Sequence, residues 1–430
     1  MIQNVSHLLR SRLFLPLFST QFLGAFNDSL FKQAVVLFVT YQLYSNPAKE
    51  FQFSAIAQGL FMLPFFLFSA LAGQLADDHD KSRLIRMIKL AEIGIMVLGG
   101  AGLLLANVPL MLAAVCAMGI HSTFFGPIKY AILPQHLHGD EVLGGTGMVE
   151  ASTYLAILLG TIAAGWLSID QALILTFAVA IIGRIIAGRV PPAPREGAEL
   201  QINYNPITSS WRLVSATMHI PRLFLAILAI SFFWMIGTVL IVLFPPLIKN
   251  ALAADPRVYS TLTALFSIGI AIGSVAINAL LRGDVSARYA PISVLAMGAF
   301  VAVFWFLCHE WSADVVSTEL MNVGQFLAQP LATPVMVTLL LIAIAGGMFV
   351  VPLYAFLTTK CDPAQAARMV AANNIVNSGA MVVGSLIAVG LSAAKIPLVE
   401  QVLLSSVMCL VSAWLAMRLY RAERMALAAT

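Results

Sequence analysis

Charged residues are scarce in this chain. Asp, Glu, Lys and Arg make up 10% of its 430 residues, whereas a soluble globular chain usually has about 25%. Apolar residues make up 60%, so the chain folded in water would leave a large apolar surface exposed. This composition is typical of a polytopic membrane protein and excludes most classes of soluble enzyme.

Signals for metal, nucleotide or nucleic-acid chemistry are also missing. Cys116, Cys308, Cys361 and Cys409 form no CxxC pair, so we expect neither a zinc site nor a disulfide framework. The sequence has no GxxxxGK[ST] loop, so ATP-driven transport by this chain alone is not expected. Its basic residues are spread over short loops, which gives no support to nucleic-acid binding. We therefore predict a protein that is not an enzyme and holds no cofactor.

Long apolar runs recur along the chain instead. A helix needs about 20 apolar residues to cross a bilayer, and twelve runs meet that length. The predicted spans are 13–43, 53–76, 86–106, 109–132, 143–167, 170–188, 221–248, 258–281, 290–310, 334–358, 369–393 and 397–418. We predict an all-α membrane protein with an N-terminal six-helix bundle (1–188), a cytoplasmic linker (189–220) and a C-terminal six-helix bundle (221–430).

The distribution of positive charge predicts the orientation. With both termini in the cytoplasm, 18 of the 24 Lys and Arg residues fall in predicted inside segments. Four fall in outside segments, namely Lys49, Lys249, Arg257 and Lys395. Cytoplasmic loops of membrane proteins carry such an excess of positive charge. An even number of spans with both ends inside is therefore predicted.

The two predicted halves share weak internal symmetry. Pro127 lies near the end of the fourth span, and Pro352 lies in the fourth span of the second half. Aligning these prolines sets Lys129 against Tyr354. Two related six-helix halves are common among transporters, in which the substrate path runs between them.

Five charged side chains lie away from the ends of the predicted spans, and all belong to the first half. They are Asp28, Lys32, Glu92, Lys129 and Glu150. Each costs roughly 2.5–3.5 kcal/mol at the middle of a membrane helix, so we expect these groups to pair or to line a wet cavity. The spans of the second half contain no clear mid-membrane charge, and their polar residues are Asn278 and the cluster Asn373, Asn374 and Asn377.

Simpler roles remain open for several of these charges. Asp28 and Lys32 are one turn apart and can neutralise each other locally. Lys129 can extend toward the membrane interface, and Glu92 can serve only as a salt-bridge partner of Lys89. Asp28 is also the best candidate for a site that couples transport to Na⁺ or H⁺.

A charged lobe facing an apolar lobe suits an amphiphilic substrate. The charged wall would meet a headgroup and the apolar wall an acyl chain. The free energy that the acyl chain gains by burial in the protein only offsets what it loses by leaving the bilayer. Substrate specificity therefore has to come from contacts with the headgroup. This asymmetry predicts a lipid-like substrate.

Several motifs resemble a known family. GQLAD (73–77), followed by Lys81 and Arg83, resembles the loop signature of the major facilitator superfamily. More specific segments, in chain order, resemble the bacterial lysophospholipid transporter family (LplT-like): QFLGAFND (21–28), PIKYAIL (127–133), GMVEAS (147–152), AILLG (156–160), GGMFVVPL (346–353) and AANNIVN (371–377). The resemblance covers essentially the whole chain.

The resemblance implies a twelve-helix major facilitator fold in the bacterial inner membrane. It implies that lysophospholipids, chiefly lysophosphatidylethanolamine, are flipped from the outer to the inner leaflet and then re-acylated by a cytoplasmic acyltransferase. The family's charged residues match Asp28, Lys129 and Glu150. The chain departs from some members by lacking an arginine in the seventh span and by having Tyr354 where others have asparagine.

We therefore expect a monomeric flippase that works by alternating access, with lysophospholipid and membrane lipid as its partners. The predicted substrate-binding residues are Asp28, Lys32, Lys129, Glu150, Tyr354 and Asn377. Lys129 or Lys32 would bind the phosphate, and Glu150 or Asp28 the ammonium. Asp77, Lys81 and Arg83 are predicted gating residues. The alternatives are an exporter of a drug or small metabolite, and a scaffold or sensor that transports nothing.

Overall fold

The chain is helical throughout the part that the structure describes. The computed structural model describes residues 7–138, 141–195, 202–282, 285–314, 319–359 and 366–428. Within these ranges, β-structure is limited to one isolated bridge between Ala254 and Met321. The predicted all-α fold is confirmed. Cys361 and part of the loop after the eighth span lie outside the described residues.

Twelve of the described helices are long and apolar enough to cross a membrane. We name them α1 to α12 in chain order. Their bounds are Leu15–Phe38, Pro47–Asp78, Lys81–Leu104, Val108–Ala131, Val142–Trp166, Ile169–Ala187, Pro221–Asn250, Pro256–Leu281, Ala290–Asp314, Ala332–Thr359, Ala366–Ala393 and Leu398–Ala428. The twelve predicted spans are confirmed, while the cytoplasmic placement of the termini stays a prediction.

Polar residues mark where several of these helices begin. Asp80 accepts a hydrogen bond from the Ser82 backbone N–H at the start of α3, and Asn107 accepts one from Leu110 at the start of α4. Ser168 and Gln171 form a capping box on α6. Such caps satisfy backbone N–H groups that have no partner within the helix, so the chain can reverse in short loops.

Shorter helical pieces lie between or extend the spans. α1 continues into a π-helical turn, Val39–Leu43. Pro206–Met218 forms a helix within the predicted linker, and Leu133–His136 and Val323–Leu327 form single turns. α2 contains Pro64, which has no N–H to donate to the carbonyl one turn earlier.

Backbone contacts divide the chain into two compact units. The first unit comprises Met1–Phe38 and Leu63–Ser210, and the second comprises Val39–Met62 and Trp211–Thr430. The segment Val39–Met62 therefore groups with the second half of the sequence although it belongs to the first. The bundle boundaries predicted from the sequence, 1–188 and 221–430, stay a prediction.

Four helix–helix contacts of the first unit are repeated in the second. In the first unit, α1 packs on α5 and α6, and α3 packs on α4 and α6. In the second unit, α7 packs on α11 and α12, and α9 packs on α10 and α12. Adding six to each helix number converts one pattern into the other, as expected of two related halves.

Glycines allow close helix contacts in each unit. A methyl group on Gly160 of α5 would lie 2.6 Å from the backbone oxygen of Phe26 on α1. A methyl group on Gly347 of α10 would lie 2.5 Å from the backbone oxygen of Ile270 on α8. Small residues let membrane helices approach each other in this way, so these positions set the helix spacing.

Candidate functional site

Polar side chains of α1 form hydrogen bonds to α5 at several points where the two helices meet. Gln21 donates to the Val149 carbonyl (3.0 Å) and to the Ser152 hydroxyl. Ser29 donates to the Ile157 carbonyl (2.8 Å) one helical turn or more further along. These contacts, together with the close approach at Gly160, fix α1 against α5. The side chain of Asp28 therefore has a defined position in the first unit.

Asp28 is hydrogen-bonded to α4 rather than to its own helix. The Ser122 hydroxyl donates to Asp28 Oδ2, and His121 Nδ1 lies 3.9 Å from Asp28 Oδ1. The Asp28 side chain keeps 17% of its surface exposed. Lys32 lies one turn further along α1 and interacts electrostatically with Asp28. The sequence-predicted pair is thus brought together, with two residues of α4 added.

Lys89 and Glu92 form a buried ion pair on α3. Lys89 Nζ lies 2.5 Å from Glu92 Oε2, and the two side chains are 1% and 0% exposed. The Asn27 amide of α1 donates to Glu92 Oε1 (2.8 Å). Gly24 leaves room for the ammonium, because a methyl group there would lie 2.8 Å from Lys89 Nζ. Glu92 is therefore a salt-bridge partner of Lys89, which was one of the alternatives, and it also binds α1.

His121 joins these two carboxylates. Its Nδ1 faces Asp28 Oδ1 at 3.9 Å, and its Nε2 faces Glu92 Oε2 at 3.6 Å. The side chain is 3% exposed, and neither ring nitrogen has a hydrogen-bond partner among the described residues. The sequence analysis missed His121. An ionisable residue inside an apolar span was the signal that could have found it.

Lys129 and Glu150 are held by neighbours on α4 and α5. Lys129 Nζ donates to the Thr153 hydroxyl (3.3 Å) and lies 4.8 Å from the centre of the Tyr130 ring. The Tyr130 hydroxyl donates to Glu150 Oε1. Lys129 also interacts electrostatically with Glu150 and Asp28. The predicted headgroup residues of the first unit therefore form one connected polar region.

The two predicted binding residues of the second unit also meet. Asn377 of α11 donates to the Tyr354 hydroxyl of α10 (3.1 Å), and Trp234 of α7 donates to the same hydroxyl (2.9 Å). The Ser231 hydroxyl donates to the side-chain oxygen Oδ1 of Asn377 (2.6 Å). All four side chains are neutral. The sequence analysis did not assign Ser231 and Trp234 to this group, because nothing local links them to α10 and α11.

A second buried ion pair lies at the other end of α7. Lys249 Nζ lies 2.6 Å from Glu50 Oε1 and also donates to the Thr40 and Tyr44 carbonyls. Asn250 donates to Glu50 Oε2 (2.6 Å), and the Glu50 side chain is 0% exposed. These residues all belong to the second unit. The sequence analysis placed Lys249 in an outer loop, because a partner about 200 positions away leaves no local pattern.

The ion pairs described at the predicted gating loop involve residues outside the predicted gating set. Asp77 and Arg83 are exposed, and Lys81 is buried. Asp78 pairs with Arg195 at 3.2 Å and lies 3.6 Å from His79. The gating roles of Asp77, Lys81 and Arg83 stay predictions.

Asp80 holds the same loop together. It accepts hydrogen bonds from Ser82 (2.9 Å) and from the Ala193 backbone N–H (3.3 Å). Burial alone would raise the pKa of Asp80, but hydrogen bonds from the Ser82 hydroxyl and from the backbone N–H groups of Ala193, Ser82 and Arg83 hold that pKa below its ordinary value. The ionised carboxylate is thus part of the folded loop.

Twelve membrane-length helices with charged side chains buried among them define a multi-pass integral membrane protein. A family model described as "Major Facilitator Superfamily" matches residues 17–385. The chain belongs to the Major Facilitator Superfamily. It is a membrane transporter and not an enzyme.

Curated relatives agree with the resemblance seen in the motifs. The chain is similar to "Lysophospholipid transporter LplT" of Salmonella paratyphi B, with 27% identity over 374 residues that cover 84% of this chain and 83% of the relative. The protein of the same name from Salmonella newport matches with the same identity and coverage. The predicted resemblance is confirmed.

Solved transporters share the fold. A bacterial homologue of the lysosomal transporter Spinster superposes with a TM-score of 0.66 at 14% identity, covering 96% of this chain and 98% of that one. An auto-inhibited POT family peptide transporter gives a TM-score of 0.71 at 11% identity, covering 96% and 97%. At these identities the likeness concerns the fold alone.

Proposed function

We propose that this transporter carries lysophospholipids, such as lysophosphatidylethanolamine, from the outer to the inner leaflet of the bacterial inner membrane by alternating access. A cytoplasmic acyltransferase would then re-acylate them. One observation carries the proposal: the polar region of the first unit contains ammonium and carboxylate groups, whereas that of the second contains neutral groups. A lysophospholipid has both a zwitterionic headgroup and an apolar chain. The relatives named for lysophospholipid transport support the same substrate class.

The headgroup fits the charges of the first unit. An ammonium group has three donors, and the hydrogen bond described for Lys129 uses one of them. Lys129, or Lys32, is therefore our choice for the lipid phosphate. Asp28 is partly exposed, and Glu150 accepts one hydrogen bond from Tyr130, so either carboxylate can accept the lipid ammonium.

The acyl chain would lie against apolar side chains. Burial there replaces the contacts that the chain had in the bilayer, so it contributes little selectivity. Discrimination between lysophospholipids would then depend on the charged groups of the first unit.

The test is leaflet-resolved flipping of labelled lysophosphatidylethanolamine by the purified protein in proteoliposomes. We expect flipping of the lyso form and not of diacyl phosphatidylethanolamine. Lys129→Ala and Asp28→Asn should lower the rate roughly tenfold to a hundredfold, as expected for the loss of a hydrogen bond to a charged group.

The matched control removes a basic residue elsewhere. Arg288→Ala, at an exposed position of the second unit, should leave flipping unchanged. Competition by a soluble solute together with no lysolipid movement would favour the exporter alternative. Unchanged flipping in both Lys129→Ala and Asp28→Asn would refute the assigned roles.

A further inference from the structure

A buried histidine in the first unit lies between two carboxylates without a hydrogen bond to either. His121 Nδ1 is 3.9 Å from Asp28 and Nε2 is 3.6 Å from Glu92. Among the described residues, both ring nitrogens and Asp28 Oδ1 lack hydrogen-bond partners. Buried polar atoms without partners are rare and costly. A site with three of them in a row is suited to a small ligand that can satisfy them.

The charges around His121 point to a singly charged cation. The groups that face it are Asp28 from α1 and Glu92 from α3, with Lys89 bound to Glu92 at 2.5 Å. With His121 neutral, this buried group has two negative charges and one positive. Lys32 and Lys129 also interact electrostatically with Asp28. The two carboxylates that the ring nitrogens of His121 face would attract a positive charge on the imidazole.

The geometry favours a proton over a metal ion. A proton on the imidazole makes both ring nitrogens donors, and both already point at carboxylate oxygens. A metal ion bound by Glu92 would lie beside the Lys89 ammonium, which repels it. The described residues also contain no His, Cys, Asp and Glu group arranged to hold a metal.

We propose that His121, Asp28 and Glu92 form a proton-binding site, and that the proton competes with the ammonium of the lipid headgroup for Asp28. Asp28 can interact both with the proton site and with the lipid ammonium, because its side chain is 17% exposed. The side chains of His121 and Glu92 are 3% and 0% exposed and so face the proton site alone. When His121 is charged, it neutralises Asp28 and weakens its hold on the headgroup. The inference rests on the proposed function for the identity of the competing ligand.

The experiment measures protons released when lysophosphatidylethanolamine binds to the full-length purified protein. Calorimetry in two buffers of different ionisation enthalpy gives the number released per lipid bound. We expect release of up to one proton by the wild type and none by His121→Asn. We also expect lipid affinity to fall roughly tenfold from about pH 8 to about pH 5.5 in the wild type only, within the usual range of coupling between two sites.

The matched control is His136→Asn. His136 is a buried histidine of the same unit whose ring contacts the Pro192 carbonyl at 3.4 Å. It should release protons and respond to pH like the wild type. Size-exclusion and thermal unfolding of both variants show that the chain is folded.

Two kinds of result overturn the inference, and a third tests the proposed function. Lipid binding without proton release, or equal release by His121→Asn, removes the proton site and leaves the proposed function intact. A requirement for Na⁺ at constant pH, again without proton release, has the same effect. If the lipid does not bind at all, the proposed function fails. Infrared difference spectra between about pH 8 and about pH 5.5 then decide the site, because only a protonating His121 gives imidazolium bands absent from His121→Asn.

Discussion

The first and second units share several helix–helix contacts, but the polar regions that their corresponding helices form differ in charge. α1, α4 and α5 contribute Asp28, Lys129 and Glu150 in the first unit. Their counterparts α7, α10 and α11 contribute Ser231, Tyr354 and Asn377, which form a neutral hydrogen-bond network. The comparison shows that corresponding helices keep the same contacts in both units. Whether a polar region is charged or neutral depends on a few side chains on those helices.

The two units also differ in how they stabilise buried charge. In the first unit, Lys89 and Glu92 are adjacent on one helix, and α1 adds an amide to the pair. In the second unit, Lys249 of α7 reaches Glu50 on α2 and backbone carbonyls of the π-helical turn. A buried ion pair adds little net stability, but removing one member leaves an uncompensated charge. Four predictions test this comparison, from the largest expected effect to the smallest.

The largest effect is expected from Lys89→Met. The substitution leaves the Glu92 carboxylate buried without its ion-pair partner, and we expect a loss of about 3–5 kcal/mol in the free energy of unfolding. Denaturant unfolding of the purified protein in detergent measures it. The double variant Lys89→Met/Glu92→Gln should recover a large part of the loss. If Lys89→Met alone were as stable as the wild type, a group other than Lys89 would have to neutralise the Glu92 carboxylate.

The next effect compares the close helix contacts of the two units. Gly160→Ala and Gly347→Ala should each lower the unfolding free energy by about 1–3 kcal/mol, because the new methyl group overlaps a backbone oxygen. Gly237→Ala is the control, since a methyl group there meets nothing within 4 Å. That control should be neutral or stabilising, as alanine is favoured over glycine in a helix. Equal destabilisation by all three would show that the contacts do not set the spacing.

A smaller effect is expected in the neutral network. Tyr354→Phe removes the hydroxyl that accepts hydrogen bonds from Trp234 and Asn377. We expect a loss of about 1 kcal/mol in unfolding free energy, the usual net contribution of a neutral hydrogen bond. Lysolipid flipping should fall less than in Lys129→Ala. A larger fall in Tyr354→Phe would reverse the assignment of headgroup recognition to the first unit.

The smallest effect concerns Asp80, which lies outside the membrane-spanning segments. Because its folded-state pKa lies below the ordinary value, its ionised form stabilises the fold at neutral pH. This contribution is present above the unfolded pKa of about 3.9 and is lost as the pH falls through the lower folded pKa. Asp80→Asn keeps a capping side chain but loses the charge, so we expect a deficit of about 0.3–1 kcal/mol at neutral pH. The unfolding free energies of the wild type and Asp80→Asn should become equal as the pH falls. A difference that stays constant with pH would show that the Asp80 charge is not its cause.

The sequence predicts the fold well because the bilayer makes hydropathy decisive. All twelve spans follow from apolar runs, and buried charges stand out against them. The short-range pair Lys89 and Glu92 is visible as a spacing of three. The partners Ser122 and Glu50 are not, because contacts between distant helices depend on packing that no local pattern encodes. His121 was missed for a related reason: a single histidine in an apolar helix shows its importance only when the carboxylates around it are located.

Pro64 interrupts the backbone hydrogen bonds of the long helix α2. The boundary between the two contact units falls between Met62 and Leu63, and Pro64 follows it directly. The missing amide removes one rung of the helical ladder there, which lowers the energy needed to bend the rod. The helix α2 therefore bends more easily at Pro64 than an uninterrupted helix of the same length would.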